Sequence, residues 1–130
     1  GVLEALALME AQGLKIGLAT SSPFTMVEAV LGKLGIRDRF LAVHSAEVER
    51  FGKPHPDVYI HAAEKLGVEP VHCLAIEDSF TGLLAAKAAS MRALIVPDPA
   101  LVGDPRLAIA DHQLRSLGEL NAATLASWVA

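Results

Sequence analysis

The sequence predicts an α/β fold, a parallel sheet with helices packed on both of its faces. Short apolar runs, KIGLA (15–19), FLAVH (40–44), HCLAIE (72–77) and RALIV (92–96), alternate with longer stretches of helical periodicity. Such alternation is the mark of parallel strands joined by crossover helices. With 130 residues, 52% of them hydrophobic and only 5% aromatic, the chain can bury one aliphatic core in one domain.

Taken in order, Val2, Ala5, Leu6 and Met9 recur at helical spacing, and Gly13 follows as a helix-ending residue. Strand 15–19 comes next. Ser22 and Pro23 then start a second helix, with proline where its missing N–H does no harm. Val27, Val30, Leu31 and Leu34 line one face of that helix and Gly35 closes it. After strand 40–44, Pro54 and Pro56 open a third helix carrying Tyr59, Ala62, Ala63 and Leu66, ended by Gly67. Strand 72–77 leads into a helix from about Ser79 to Ser90. Strand 92–96 is followed by a loop over 97–106 with Pro97, Pro99 and Pro105, and ADHQL (110–114) reads as a last edge strand. Ser116 and Glu119 have capping-box spacing, and the tail with Leu120, Leu125 and Trp128 reads as helical.

Composition narrows the function classes. The formal charge is −4 and the basic residues are scattered, so no nucleic-acid footprint is expected. One cysteine, Cys73, rules out an intramolecular disulfide framework and fits a reducing cytoplasm. Its apolar surroundings in sequence read as a buried core thiol. No apolar stretch is long enough to span a bilayer and no basic-then-apolar leader occurs, so a cytoplasmic, membrane-free location is expected. The five histidines, His44, His55, His61, His72 and His112, lack zinc-site spacing with cysteine partners and read as local hydrogen-bonding groups.

In open parallel sheets, ligands sit beyond the carboxyl ends of the strands. Strand one ends in Thr20-Ser21-Ser22 and runs into a helix start, where hydroxyls and free amides suit an anionic oxygen cluster; plain capping by Ser22 is the alternative. Strand three ends in Glu77-Asp78-Ser79, two adjacent carboxylates that need a cation or donors to stay ionised side by side. Mg²⁺ is the natural partner, and helix capping by Asp78 or Ser79 is the alternative. Lys53 sits between Gly52 and Pro54 at another helix start, on the unfavourable side of the helix dipole unless an anion is near; the alternative is an exposed turn lysine. Together the hydroxyl turn, the bracketed lysine and the acidic pair describe a phosphoryl-transfer site.

These segments resemble, in order and context, motifs of the haloacid-dehalogenase (HAD) superfamily of phosphohydrolases. GLATSSP resembles the second motif, with Thr20 as its strand-end hydroxyl; GKPHPDVY resembles the third, with Lys53 as its lysine. LAIEDSFTGLLAA resembles the fourth, with Glu77 and Asp78 as the metal-side acids, and ADHQLRSLGEL resembles the family's C-terminal ending. The resemblance is finest to the sugar-phosphatase branch near 2-deoxyglucose-6-phosphate and hexitol-phosphate phosphatases and β-phosphoglucomutase. It implies a HAD-like Rossmannoid sheet and a Mg²⁺-dependent phosphomonoesterase acting on small sugar phosphates. Thr20, Ser21 and Lys53 would bind phosphate, Lys53 and Thr20 would serve catalysis, and Glu77 with Asp78 would anchor the metal directly or through water.

The family's first motif, Asp-x-Asp on an N-terminal strand, supplies a nucleophilic aspartate and an acid/base. No aspartate precedes Asp38 here, IRDRF does not end an apolar strand, and no cap domain is present. The chain, starting at Gly1, therefore reads as the C-terminal part of such a core. Its sheet is expected to lack the first central strand, between 15–19 and 72–77, leaving two unpaired edges. Alone it is expected to be unstable, to associate through those edges or to rearrange, and to show no turnover, because the aspartyl-phosphate would form outside it. A β-phosphoglucomutase-like phosphomutase and a non-catalytic binding or interaction domain derived from the same fold remain the alternatives.

Overall fold

Strands and helices alternate along the whole chain in the computed structural model, which describes residues 1–130. The elements are α1 (Val2–Ala11), β1 (Gly17–Thr20), α2 (Phe24–Leu34), β2 (Ala42–Ser45), α3 (Asp57–Leu66), β3 (Leu74–Glu77), α4 (Phe80–Ala88), β4 (Arg92–Ile95), β5 (His112–Gln113) and α5 (Ala122–Val129). Short 3₁₀ turns fill several connections. No helix is long and apolar enough to cross a membrane.

Every strand pair is parallel. β1 pairs with β2 from Gly17–Ala42 to Thr20–Ser45, and β4 lies between β3 and β5. The two groups do not join: β1 and β3 are each paired on one side only. Both line an apolar cavity of about 490 Å³, bordered by Ile16 to Ala19 on one side and Cys73 to Ile76 on the other. The expected gap in the sheet is present, and it lies between the two strands named for it.

The period-two alternation of the strands divides the core into layers. Ala75, Ala93 and Ile95 face α3 and α4, packing on Val58, Ala63, Leu83 and Ala86. Ile16 and Val43 face the other way, onto Leu6 of α1 and Val27 and Leu31 of α2. On that same side Leu74 and Leu114 pack with Ala5 of α1 and Leu120 and Leu125 near and in α5. Helices therefore cover both faces. At Gly17 the approach of α3 is so close that a Cβ would lie 2.9 Å from the Leu66 side chain.

Several local expectations differ. The residue preceding α2 in capping position is Pro23, and Ser22 does not cap; the free Phe24 amide donates instead to Glu47 Oε2 at 2.6 Å. Only Val27 and Leu31 of the α2 face are buried, while Val30 and Leu34 stand exposed beside Met26. Ser116 caps a three-residue 3₁₀ turn through the Gly118 amide, and Glu119 accepts from the Arg115 amide. The tail helix begins later, with Asn121 and Thr124 exchanging both bonds of a capping box. Cys73 is half-buried, since β3 starts one residue after it and its position borders the cavity rather than the packed interior. Burial raises its thiol pKa, which keeps it protonated and unreactive.

Candidate active site

Lys53 reaches the carboxyl ends of both free-edged strands. Its ammonium donates to Glu77 Oε1 at 2.5 Å, at the end of β3, and to the Ala19 carbonyl at 3.3 Å, one residue before the end of β1. The side chains are only 12% and 7% exposed, so this ion pair is shielded from solvent. The Lys53 ammonium also lies 4.9 Å from the centre of the Tyr59 ring, whose face attracts a cation. The peptide bond from Lys53 to Pro54 is cis. Lys53 is thus not an exposed turn lysine.

Glu77 is the best-held group of the site. Besides Lys53, its Oε1 accepts from the Tyr59 hydroxyl, and its Oε2 lies 3.5 Å from Ser79 Oγ. Burial, and then the adjacent Glu77 charge, raises the Tyr59 pKa strongly, so this phenol stays a hydrogen-bond donor. Ser79 caps α4 through the Gly82 amide at 3.1 Å, which is the capping role considered for it. Gly82 leaves the room that the carboxylate occupies: a Cβ there would lie 2.1 Å from Glu77 Cδ.

Asp78 behaves differently from its neighbour. Its side chain is exposed, and its backbone carbonyl accepts from the Asp98 amide at 3.0 Å. The two acids are therefore kept apart electrostatically, with Glu77 turned to Lys53 and Asp78 turned to water. The Thr20-Ser21-Ser22 turn is braced from two sides. Thr20 Oγ1 accepts from the Ser22 amide at 3.0 Å, and the buried Ser45 Oγ donates to the Ser22 carbonyl at 2.6 Å. Ser21 sits exposed at the apex. Lys53 and Glu77 are in direct contact, and Thr20 and Asp78 each adjoin a residue in that cluster.

Tyr59, Gly82, Ser45 and Glu47 were not legible as site groups. Tyr59 reads as one more core residue of α3. The glycine of FTGL, standing where alanine would favour a helix, was the one available signal for Gly82.

A family model described as haloacid dehalogenase-like hydrolase matches residues 1–90. The chain belongs to the haloacid dehalogenase-like hydrolases. It is similar to hexitol phosphatase B of Escherichia coli (strain K12), 51% identical over 125 residues, which are 96% of this chain and 56% of that protein. Among solved structures it resembles β-phosphoglucomutase from Clostridium difficile, with a TM-score of 0.86 and 28% identity over 99% of this chain and 55% of the other. It also resembles CbbY from Rhodobacter sphaeroides in complex with xylulose-1,5-bisphosphate, with a TM-score of 0.84 and 31% identity over 93% and 55%. The chain thus spans little more than half the length of these HAD relatives.

Proposed function

We propose that the protein carrying this chain is a Mg²⁺-dependent phosphomonoester hydrolase acting on small sugar phosphates. The observation that carries the reading is the shielded Lys53–Glu77 pair at the carboxyl ends of β1 and β3. An ammonium has three N–H groups, and two are used on Glu77 and Ala19. The third is available to a phosphoryl oxygen, and the braced hydroxyl turn offers Thr20 Oγ1 and the Ser21 amide to others.

A strand from outside this sequence would occupy the cavity between β1 and β3 and bring the nucleophilic aspartate beside Lys53. The phosphoryl group would pass to that aspartate and then to water. Lys53 would balance charge on the oxygens during both transfers, and Glu77, fixed by Tyr59, would hold Lys53 in place. Asp78 suits a hard divalent cation, being an exposed carboxylate on a fixed backbone, and Glu77, whose Oε1 is engaged by Lys53 and Tyr59, would act on that ion directly or through water. The cation, when bound, supplies positive charge to the phosphate oxygens. The likeness to hexitol phosphatase B, 51% identical, favours sugar phosphates as the substrate class.

The likeness to β-phosphoglucomutase favours a phosphomutase as the second reading. Following hexose and hexitol phosphates by ³¹P NMR with the full-length protein separates the two. Growth of an inorganic phosphate signal that stops with EDTA is expected. Conversion of one sugar phosphate into its isomer without free phosphate would favour the mutase, and inertness toward every phosphomonoester would favour a binding domain.

A further inference from the structure

Glu49 lies outside the Lys53 cluster and is enclosed by two histidines from different elements. Its Oε1 is 2.5 Å from His44 Nε2 and 2.6 Å from His61 Nδ1. His44 belongs to β2, His61 to α3, and Glu49 to the segment between them that also carries Lys53. The candidate ligand atoms of the three residues all lie within 4.8 Å of one another. His44 and Glu49 have side chains only 6% exposed, while His61 is 41% exposed. His44 Nδ1 is buried without a hydrogen-bond partner. The hydrogen bonds to Glu49 therefore account for only half of the polar capacity that this imidazole has taken out of water.

We propose that His44, Glu49 and His61 form a binding site for a borderline divalent metal ion such as Zn²⁺. Two imidazole nitrogens and one carboxylate oxygen are the donor set that such ions prefer. Mg²⁺ and Ca²⁺ prefer oxygen ligands, so this site is chemically distinct from exposed Asp78. Zinc bonds of about 2.0–2.1 Å put tetrahedral ligand atoms about 3.3 Å apart. Each contact to Glu49 would open by less than about 1 Å, within reach of carboxylate rotation. The exposed side of His61 gives the ion access and leaves a fourth position to water. Because the site joins β2 to α3 across residues 45–57, its occupation braces the loop that aims Lys53.

The test is direct binding to metal-stripped full-length protein in excess Mg²⁺, which keeps oxygen-ligand sites filled. Co²⁺ titration followed by visible absorption is expected to give one equivalent per chain with the strong bands of a four-coordinate site, displaced by Zn²⁺. His61→Ala, at a half-exposed position, and Glu49→Gln are each expected to weaken Zn²⁺ binding more than about 100-fold, with circular dichroism melts confirming folding. Absence of saturable Zn²⁺ binding, or less than about a tenfold loss in both variants, would overturn the site. Neither readout depends on phosphatase activity, so failure here leaves the proposed reaction untouched.

Discussion

At the residue scale, Lys53 is the group with the most at stake. A flexible cation has been made rigid by contacts to β1, β3 and the Tyr59 ring, so in the proposed reaction little side-chain freedom would be left to lose on meeting a phosphate. Removing it leaves the buried Glu77 carboxylate without its ammonium partner. Lys53→Met is expected to lower kcat of the full-length protein by about 100- to 1,000-fold, the usual cost of losing one oxyanion donor. Tyr59→Phe deletes only the phenol's bond to a carboxylate and should destabilise by about 1.5–3 kcal/mol, read from urea unfolding. Gly82→Ala should cost about 1–3 kcal/mol through the clash with Glu77, measured the same way. That Lys53 and Glu77 meet was legible in sequence because charges at strand ends and helix starts need a partner. Tyr59 was not, because an apolar helical period hides which residue of the face carries a hydroxyl to a distant carboxylate. The different fates of Glu77 and Asp78 follow from strand alternation: Glu77 shares the inward face of Ala75, and Asp78 follows the end of β3.

At the element scale, strand and helix order follows from the alternation of apolar runs, and glycines at 35 and 67 end their helices in the left-handed conformation as expected. What was not legible is who caps whom. Glu47 reaches the first amide of α2 from 23 residues away, a tertiary contact that displaces the local Ser22 choice. Asn121 and Thr124 start α5 although Ser116 and Glu119 show the more familiar pattern upstream. The β4–β5 end of the sheet rests on another tertiary contact. Burial pushes the Asp111 carboxyl up, but the Lys87 ammonium at 2.6 Å and the Ala93 amide outweigh it and hold the pKa below the usual range. A depressed carboxylate stabilises the fold above its ordinary unfolded value of about 3.9, and that stability is lost as pH falls through the lower folded value. Asp111→Asn should therefore lower the urea midpoint at neutral pH and flatten its decline in acid. An unchanged acid limb in the variant would show that Asp111 does not carry it.

At the scale of the whole molecule, the sheet is interrupted between β1 and β3. Two unpaired edges and an apolar cavity of about 490 Å³ are a poor end state for a sheet buried on both faces. The 130-residue chain on its own is expected to self-associate with rising concentration in sedimentation velocity; a monomer with a sharp cooperative melt would contradict this. The same gap opens at the Lys53–Glu77 cluster, since Ala19 and Tyr59 line it. Whatever fills it meets the surroundings of Lys53 and Glu77.

Steady-state release of phosphate from a hexitol phosphate, with and without Mg²⁺, is the decisive measurement of the proposed reaction. Mg²⁺-dependent turnover by the full-length protein is expected, with a loss of at least about 100-fold in its Lys53→Met variant and none by the 130-residue chain alone. Full activity without Lys53, or Mg²⁺-dependent turnover by the isolated chain, would contradict it.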